Sequence, residues 1–201
     1  FVLGFNESRA YALFSDRIID KSIQPLSNLR SLIADGAHLS SGRYEDLTRN
    51  RDLERFFITA ENPEGGPLVK HSFTCQDGCK HIATKFEKLK YLELCVRDKE
   101  AFKKLHPISG LIGFKLQNGA IEDRESGVTD IELVPLLEKQ KELKELDLGS
   151  CFNFTDISVL SIPDSVEILH LGSNQGISKE AFTYLGLLEK LQCFEYDDQS
   201  H

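Results

Sequence analysis

The chain has 201 residues, of which 40% are hydrophobic and 28% charged, and its formal net charge is −8. This composition describes a globular, water-soluble chain of one domain or one repeat array and excludes a disordered one. The acidity argues against nucleic acid as the main partner, because phosphate binding needs a basic face. No apolar run reaches the roughly 18 residues of a membrane span, so no membrane insertion is expected. The five cysteines (Cys75, Cys79, Cys95, Cys151 and Cys193) are odd in number and scattered. That usage fits a reducing compartment, and a cytoplasmic location is expected. Two glycosylation sequons, at Asn6 and Asn153, are too short a pattern to change that expectation. The sequence opens at Phe1 and contains no Met, so we expect a piece of a longer chain.

In chain order, Phe1 to Phe5 reads as the tail of a strand, followed by a helical stretch from Ser8 to Ile19 and a similar one from Ser40 to Leu47. Leu29-Arg30-Ser31-Leu32-Ile33-Ala34 and Leu53-Glu54-Arg55-Phe56-Phe57-Ile58 share an apolar pattern at slots one, four and six. Leu89 to Leu94, Leu111 to Leu116, Leu143 to Leu148, Val166 to Leu171 and Leu188 to Cys193 repeat it. Strand side chains alternate, so slots four and six face a core and slots three and five face outward. Between strands the pattern turns helical. Thr129, Thr155 or Asp156, and Ser178 stand where helix caps belong.

The clearest copies are Leu143 to Cys151, reading LxxLxLxxC, and Val166 to Asn174, 23 residues further on. That spacing lies within the roughly 20–29 residues of a leucine-rich repeat. Two intervals are longer, 36 residues from 53 to 89 and 32 from 111 to 143. They predict irregular insertions at about 61–86 and 119–140, within a single domain spanning 1–201. The predicted fold is α/β: a right-handed βα leucine-rich-repeat solenoid with a parallel concave sheet and convex helices.

Leu143 to Leu160, reading LxxLxLxxCxxFTD, resembles the cysteine-containing leucine-rich repeats of F-box-type substrate receptors. The resemblance implies that Cys151 caps the strand turn and that Thr155-Asp156 starts the helix. It also implies, as one alternative, substrate recognition within a ubiquitin ligase. No F-box-like segment precedes the repeats. Val166 to Asn174, preceded by Ile162-Pro163-Asp164-Ser165, resembles the repeats of bacterial leucine-rich-repeat proteins. A secreted effector acting on host proteins is the second alternative.

Such a solenoid presents a surface. The main expectation is a non-catalytic module that binds a protein partner on its concave face and insertion loops. The outward slots supply the candidate residues: Arg55, Phe57, Tyr91, Glu93, Lys115 and Gln117 in the first strands, then Glu145, Asp147, His170, Lys190 and Phe194. Ile168 falls in the same rows. Aromatic residues and Arg carry much of the energy of protein interfaces, which singles out Arg55, Phe57, Tyr91 and Phe194. Cys75, Cys79 and His81 form CxxxCxH, three of the four ligands a structural zinc needs. His71 is the nearest fourth, and ordinary thiols are the simpler reading. Cys95 falls on an outward slot without a base in its motif. No phosphate loop, HExxH or GxSxG pattern occurs. No cofactor, metal or enzymatic activity is expected.

Overall fold

The computed structural model describes residues 2–3, 30–35, 52–59, 76–96, 98–117, 127–149, 151–172 and 176–196. Eight strands form one sheet: β1 (Val2–Leu3), β2 (Ser31–Asp35), β3 (Arg55–Thr59), β4 (Tyr91–Cys95), β5 (Gly113–Gln117), β6 (Glu145–Leu148), β7 (Ile168–Leu171) and β8 (Cys193–Tyr196). Each strand pairs in parallel with its neighbours in sequence, so the order is β1 to β8 without a crossing, and the sheet stays open. Parallel neighbours require a crossover back to the same edge. Five of these crossovers contain described helices: α1 (Gln76–Lys85), α2 (Lys99–Lys103), α3 (Asp130–Leu137), α4 (Asp156–Leu160) and α5 (Lys179–Leu185). Successive helices lie against each other and form a second layer. The architecture is a repeating α/β unit, consistent with a repeat solenoid-like fold.

A single acceptor pattern sets the register. The carbonyl oxygen one position before a strand accepts two backbone N–H bonds from the next repeat. Glu54 and Arg55 donate to Arg30, Lys90 and Tyr91 to Glu54, and Ile112 and Gly113 to Lys90. Lys144 and Glu145 donate to Ile112, Glu167 and Ile168 to Lys144, and Gln192 and Cys193 to Glu167. Each step fixes the next strand to the residue, and a slip of one would turn every side chain to the wrong face.

The inward rows build the core. Leu92, Phe114, Leu146 and Leu169 are register partners, and all are buried. Leu94 with Leu116 and Leu148 with Leu171 form the second row. Leu53, Leu89, Leu111, Leu143 and Val166 close the entry to each strand and are also buried. Burying each such side chain stabilises the fold by roughly 1.5–3 kcal/mol. The helices are short, α2 and α4 having 5 residues each, and such lengths are not stable alone in water. Packing supplies what the backbone lacks: Ala101, Phe102, Leu133, Leu136, Leu137 and Val159 insert into the same core.

Polar groups tie neighbouring repeats together on the helix side. Asp130, the first residue of α3, accepts from the backbone N–H of Thr155 at 2.8 Å and of Ser158 at 3.2 Å. It also accepts from the Thr155 and Ser158 hydroxyls. Thr155 caps α4. One step on, Asp156 accepts from the backbone N–H and hydroxyl of Ser178, which caps α5. Helices α3 and α4 thus each hold the N-cap residue of the next helix. Within α3 itself, the Thr129 N–H and hydroxyl donate to Glu132 across the first turn. The fully buried Gln140 accepts from the Leu111 N–H and donates to the Ile108 and Leu136 carbonyls, so its amide is satisfied.

The last repeat differs in phase from the sequence reading. The Glu167 ladder and the pairing Leu169↔Phe194 place Phe194 on the inward register and Cys193 outward. The repeat therefore runs Leu191-Gln192-Cys193-Phe194-Glu195-Tyr196, three residues later than expected. Phe194 and Tyr196 pack against Phe182 of α5, with ring centroids at 6.1 and 5.2 Å. Two aromatic rings fill slots that leucines fill elsewhere. In the two long connections, residues 76–85 form α1 and residues 130–137 form α3. The remaining insertion residues, 61–75 and 119–126, lie outside the described residues, as do the helices expected at 8–19 and 40–47.

Candidate partner-binding face

Two outward rows cross the sheet from β3 to β8. One runs Arg55, Tyr91, Gly113, Glu145, Ile168, Cys193, and the other runs Phe57, Glu93, Lys115, Asp147, His170, Glu195. The rows follow from strand alternation, because the residues between them point into the core. All but Cys193 line an open groove of about 500 Å³.

The first row opens with a stacked pair. The Arg55 guanidinium lies 4.6 Å from the centre of the Tyr91 ring, a cation–π contact. The Tyr91 ring in turn covers Gly113. A Cβ there would sit 2.6 Å from the Tyr91 Cδ1 atom, so only glycine leaves the ring its place. Arg55 has no carboxylate partner among the described residues.

The second row is tied together by one lysine. Lys115 Nζ lies 3.5 Å from Glu93 Oε1 and 3.4 Å from Asp147 Oδ2. Burial pulls the Lys115 ammonium down, but the carboxylates on either side outweigh it and hold it above the ordinary lysine range. Glu93 also accepts from the Gln117 side chain at 3.0 Å. Asp147 accepts from the Gly149 N–H at 2.9 Å and faces His170 Nδ1 at 3.1 Å. The His170 ring rests on Gly149, where a Cβ would come within 2.4 Å of it. This chain of contacts makes Glu93, Lys115, Asp147 and His170 a preformed surface in which one lysine serves two carboxylates.

The other expected residues fall elsewhere. Gln117 belongs to the far end of β5 and reaches the groove only through Glu93. Lys190 stands in the turn before β8, outside the groove. Phe194 is on the helix side, as its register requires. Cys95 is buried and not accessible on the open side of the sheet. Cys151 is buried, and its thiol points to the Leu116 carbonyl oxygen at 3.4 Å, which ties the β6 turn to the preceding strand. Cys79 is buried in α1, whereas His81 lies two residues on, on a different helix face. Cys75 is outside the described residues. Among the described residues no group of three or more His, Cys, Asp or Glu side chains is placed to hold a metal ion.

Sequence reasoning missed Glu195 and the role of Gly113. The signal for Glu195 was present: Leu191 to Tyr196 fits the six-slot pattern once Phe and Tyr are admitted to the inward slots. Gly113 carried no signal of its own, because its role depends on a tyrosine in the adjacent strand.

An open parallel sheet backed by helices, with consecutive strands always adjacent, defines a repeat-like α/β protein. A solved structure of this kind is similar over most of the chain: a chain from the crystal structure of the Rad7 and Elc1 complex in yeast superposes with a TM-score of 0.58 at 18% identity. The match covers 85% of this chain and 44% of that one. It supports the fold. No family model and no curated protein matches the sequence. Among the described residues no helix is long and apolar enough to cross a membrane.

Proposed function

We propose that the chain is a leucine-rich-repeat solenoid acting as a non-catalytic protein-interaction module, with the concave sheet as its binding face. The observation that carries this reading is the separation of roles on each strand. The inward rows are filled by apolar side chains, whereas the outward rows hold Arg55 on Tyr91, an ordered charge row and a half-exposed Ile168 without any described element covering them. Rigid side chains over a concave floor suit shape and charge recognition. The similar chain comes from a complex of two proteins, which supports a protein partner. We place the module in the cytoplasm, on its cysteine usage.

A photo-cross-linking amino acid at position 91, compared with one at position 157 of α4, tests the face. Ile157 is 60% exposed on the helix side and serves as the matched apolar control. A discrete protein adduct from position 91 and none from position 157, in extract of the native cell, is the expected outcome. The opposite pattern moves the interface to the helices.

A second reading, substrate recognition in a ubiquitin ligase, draws on the F-box-type repeat at 143–160. The buried Cys151 at the β6 turn and Thr155 capping α4 match what that resemblance implies. Retention of a ligase adaptor by the full-length protein discriminates it from a simple adaptor role.

A further inference from the structure

The charges of the groove are unevenly used, and the unused ones are informative. Lys115 is committed to Glu93 and Asp147, and Lys144 to Glu167 at 2.9 Å. Glu145 on β6 and Glu195 on β8 are exposed and have no cation partner among the described residues. On β7, Ile168, the row neighbour of Glu145, is 46% exposed on the floor of the groove, and Glu195 stands diagonally from it, beside His170. The two carboxylates stand two strands and one row apart, about 10 Å across the sheet and about 7 Å along it. An aliphatic floor flanked by unpaired carboxylates matches a side chain with an apolar stem and a cationic head.

From this arrangement we propose that the β6–β8 end of the groove is a subsite for a lysine or arginine side chain of an extended partner segment. The stem lies on Ile168 and the head reaches Glu145, Glu195 or both. His170 and Asp147 form the neighbouring wall, and Asp147 is already engaged by the Lys115 ammonium at 3.4 Å. The overall charge of −8 draws a basic segment toward the face. The subsite rests on the concave-face reading and narrows it from any protein to a basic one.

The test uses the protein with isotope-labelled isoleucine methyl groups and backbone amides, and two probes: a short alternating Lys–Gly peptide and its Glu–Gly counterpart. At low ionic strength the Lys–Gly peptide is expected to shift the Ile168 methyl signal in a saturable way, and the Glu–Gly peptide to leave it in place. The Glu145→Gln, Glu195→Gln double variant changes only exposed groups, and its signal dispersion reports folding. It should bind the Lys–Gly peptide about tenfold more weakly. Ile168 unmoved while β3–β5 respond would overturn the subsite and leave the concave-face reading standing. Shifts confined to residues off the sheet face would overturn both. An equal response of Ile168 to the Glu–Gly peptide, or of a folded double variant to the Lys–Gly peptide, would also overturn the subsite.

Discussion

The helix side and the open side of the sheet use polar groups in opposite ways. On the helix side, Asp130 accepts four hydrogen bonds from Thr155 and Ser158, and Gln140 is fully buried with its amide satisfied. On the open side, Arg55, Glu145 and Glu195 are exposed and lack ionic partners among the described residues. The difference teaches where stability and recognition are encoded. A satisfied, part-buried carboxylate serves the fold. An unpaired, exposed one, held in register by a rigid sheet, is available to something else.

The comparison breaks most sharply on a core substitution. Leu146 is buried at the centre of the inward row, and Leu146→Ala should cost about 2–5 kcal/mol in denaturant unfolding through the cavity it leaves. A loss within error of zero would remove Leu146 from the core and the helix-side account with it.

A smaller effect is expected at Asp130. Asp130→Asn keeps the shape but loses acceptor capacity, and should destabilise the fold by about 1–2 kcal/mol at neutral pH. Burial pushes the Asp130 carboxyl up, but the hydrogen bonds from Ser158 and Thr155 outweigh it and hold it below the usual value of 3.8. A depressed folded value means that the contribution is complete above the unfolded pKa and is lost as pH falls through the folded one. The wild-type advantage over Asp130→Asn should therefore be constant near neutrality and shrink as pH drops below about 4. Unfolding midpoints across that range check the sign; an advantage that grows in acid would show that the charged form is not the stabilising one.

These two sides also differ in how far the amino-acid sequence exposes them. The inward rows were legible because Leu143, Leu146 and Leu148 repeat at a spacing that one strand-and-helix unit imposes. The caps Thr155 and Ser178 were legible because cap chemistry is local. Glu195 was not, because Leu188, Leu191 and Cys193 imitate the pattern three residues early, and only the Glu167 acceptor ladder decides between the phases. The Arg55–Tyr91–Gly113 stack was not legible either. Its three members come from three strands, and the sequence gives no local trace of one residue covering another across a sheet.

The smallest stability effect is expected on the open side of the sheet, and it carries the central claim. Tyr91→Ala with Glu145→Lys removes the aromatic platform and reverses an unpaired charge, while Asp147 keeps its contacts to Lys115 and Gly149. The direct measurement is partner capture per folded molecule for this variant beside Leu146→Ala, with unfolding followed on the same samples. The account predicts that the double variant unfolds within about 1 kcal/mol of wild type and loses capture, while folded Leu146→Ala retains it. Full capture by the folded double variant would contradict the concave face as the binding surface.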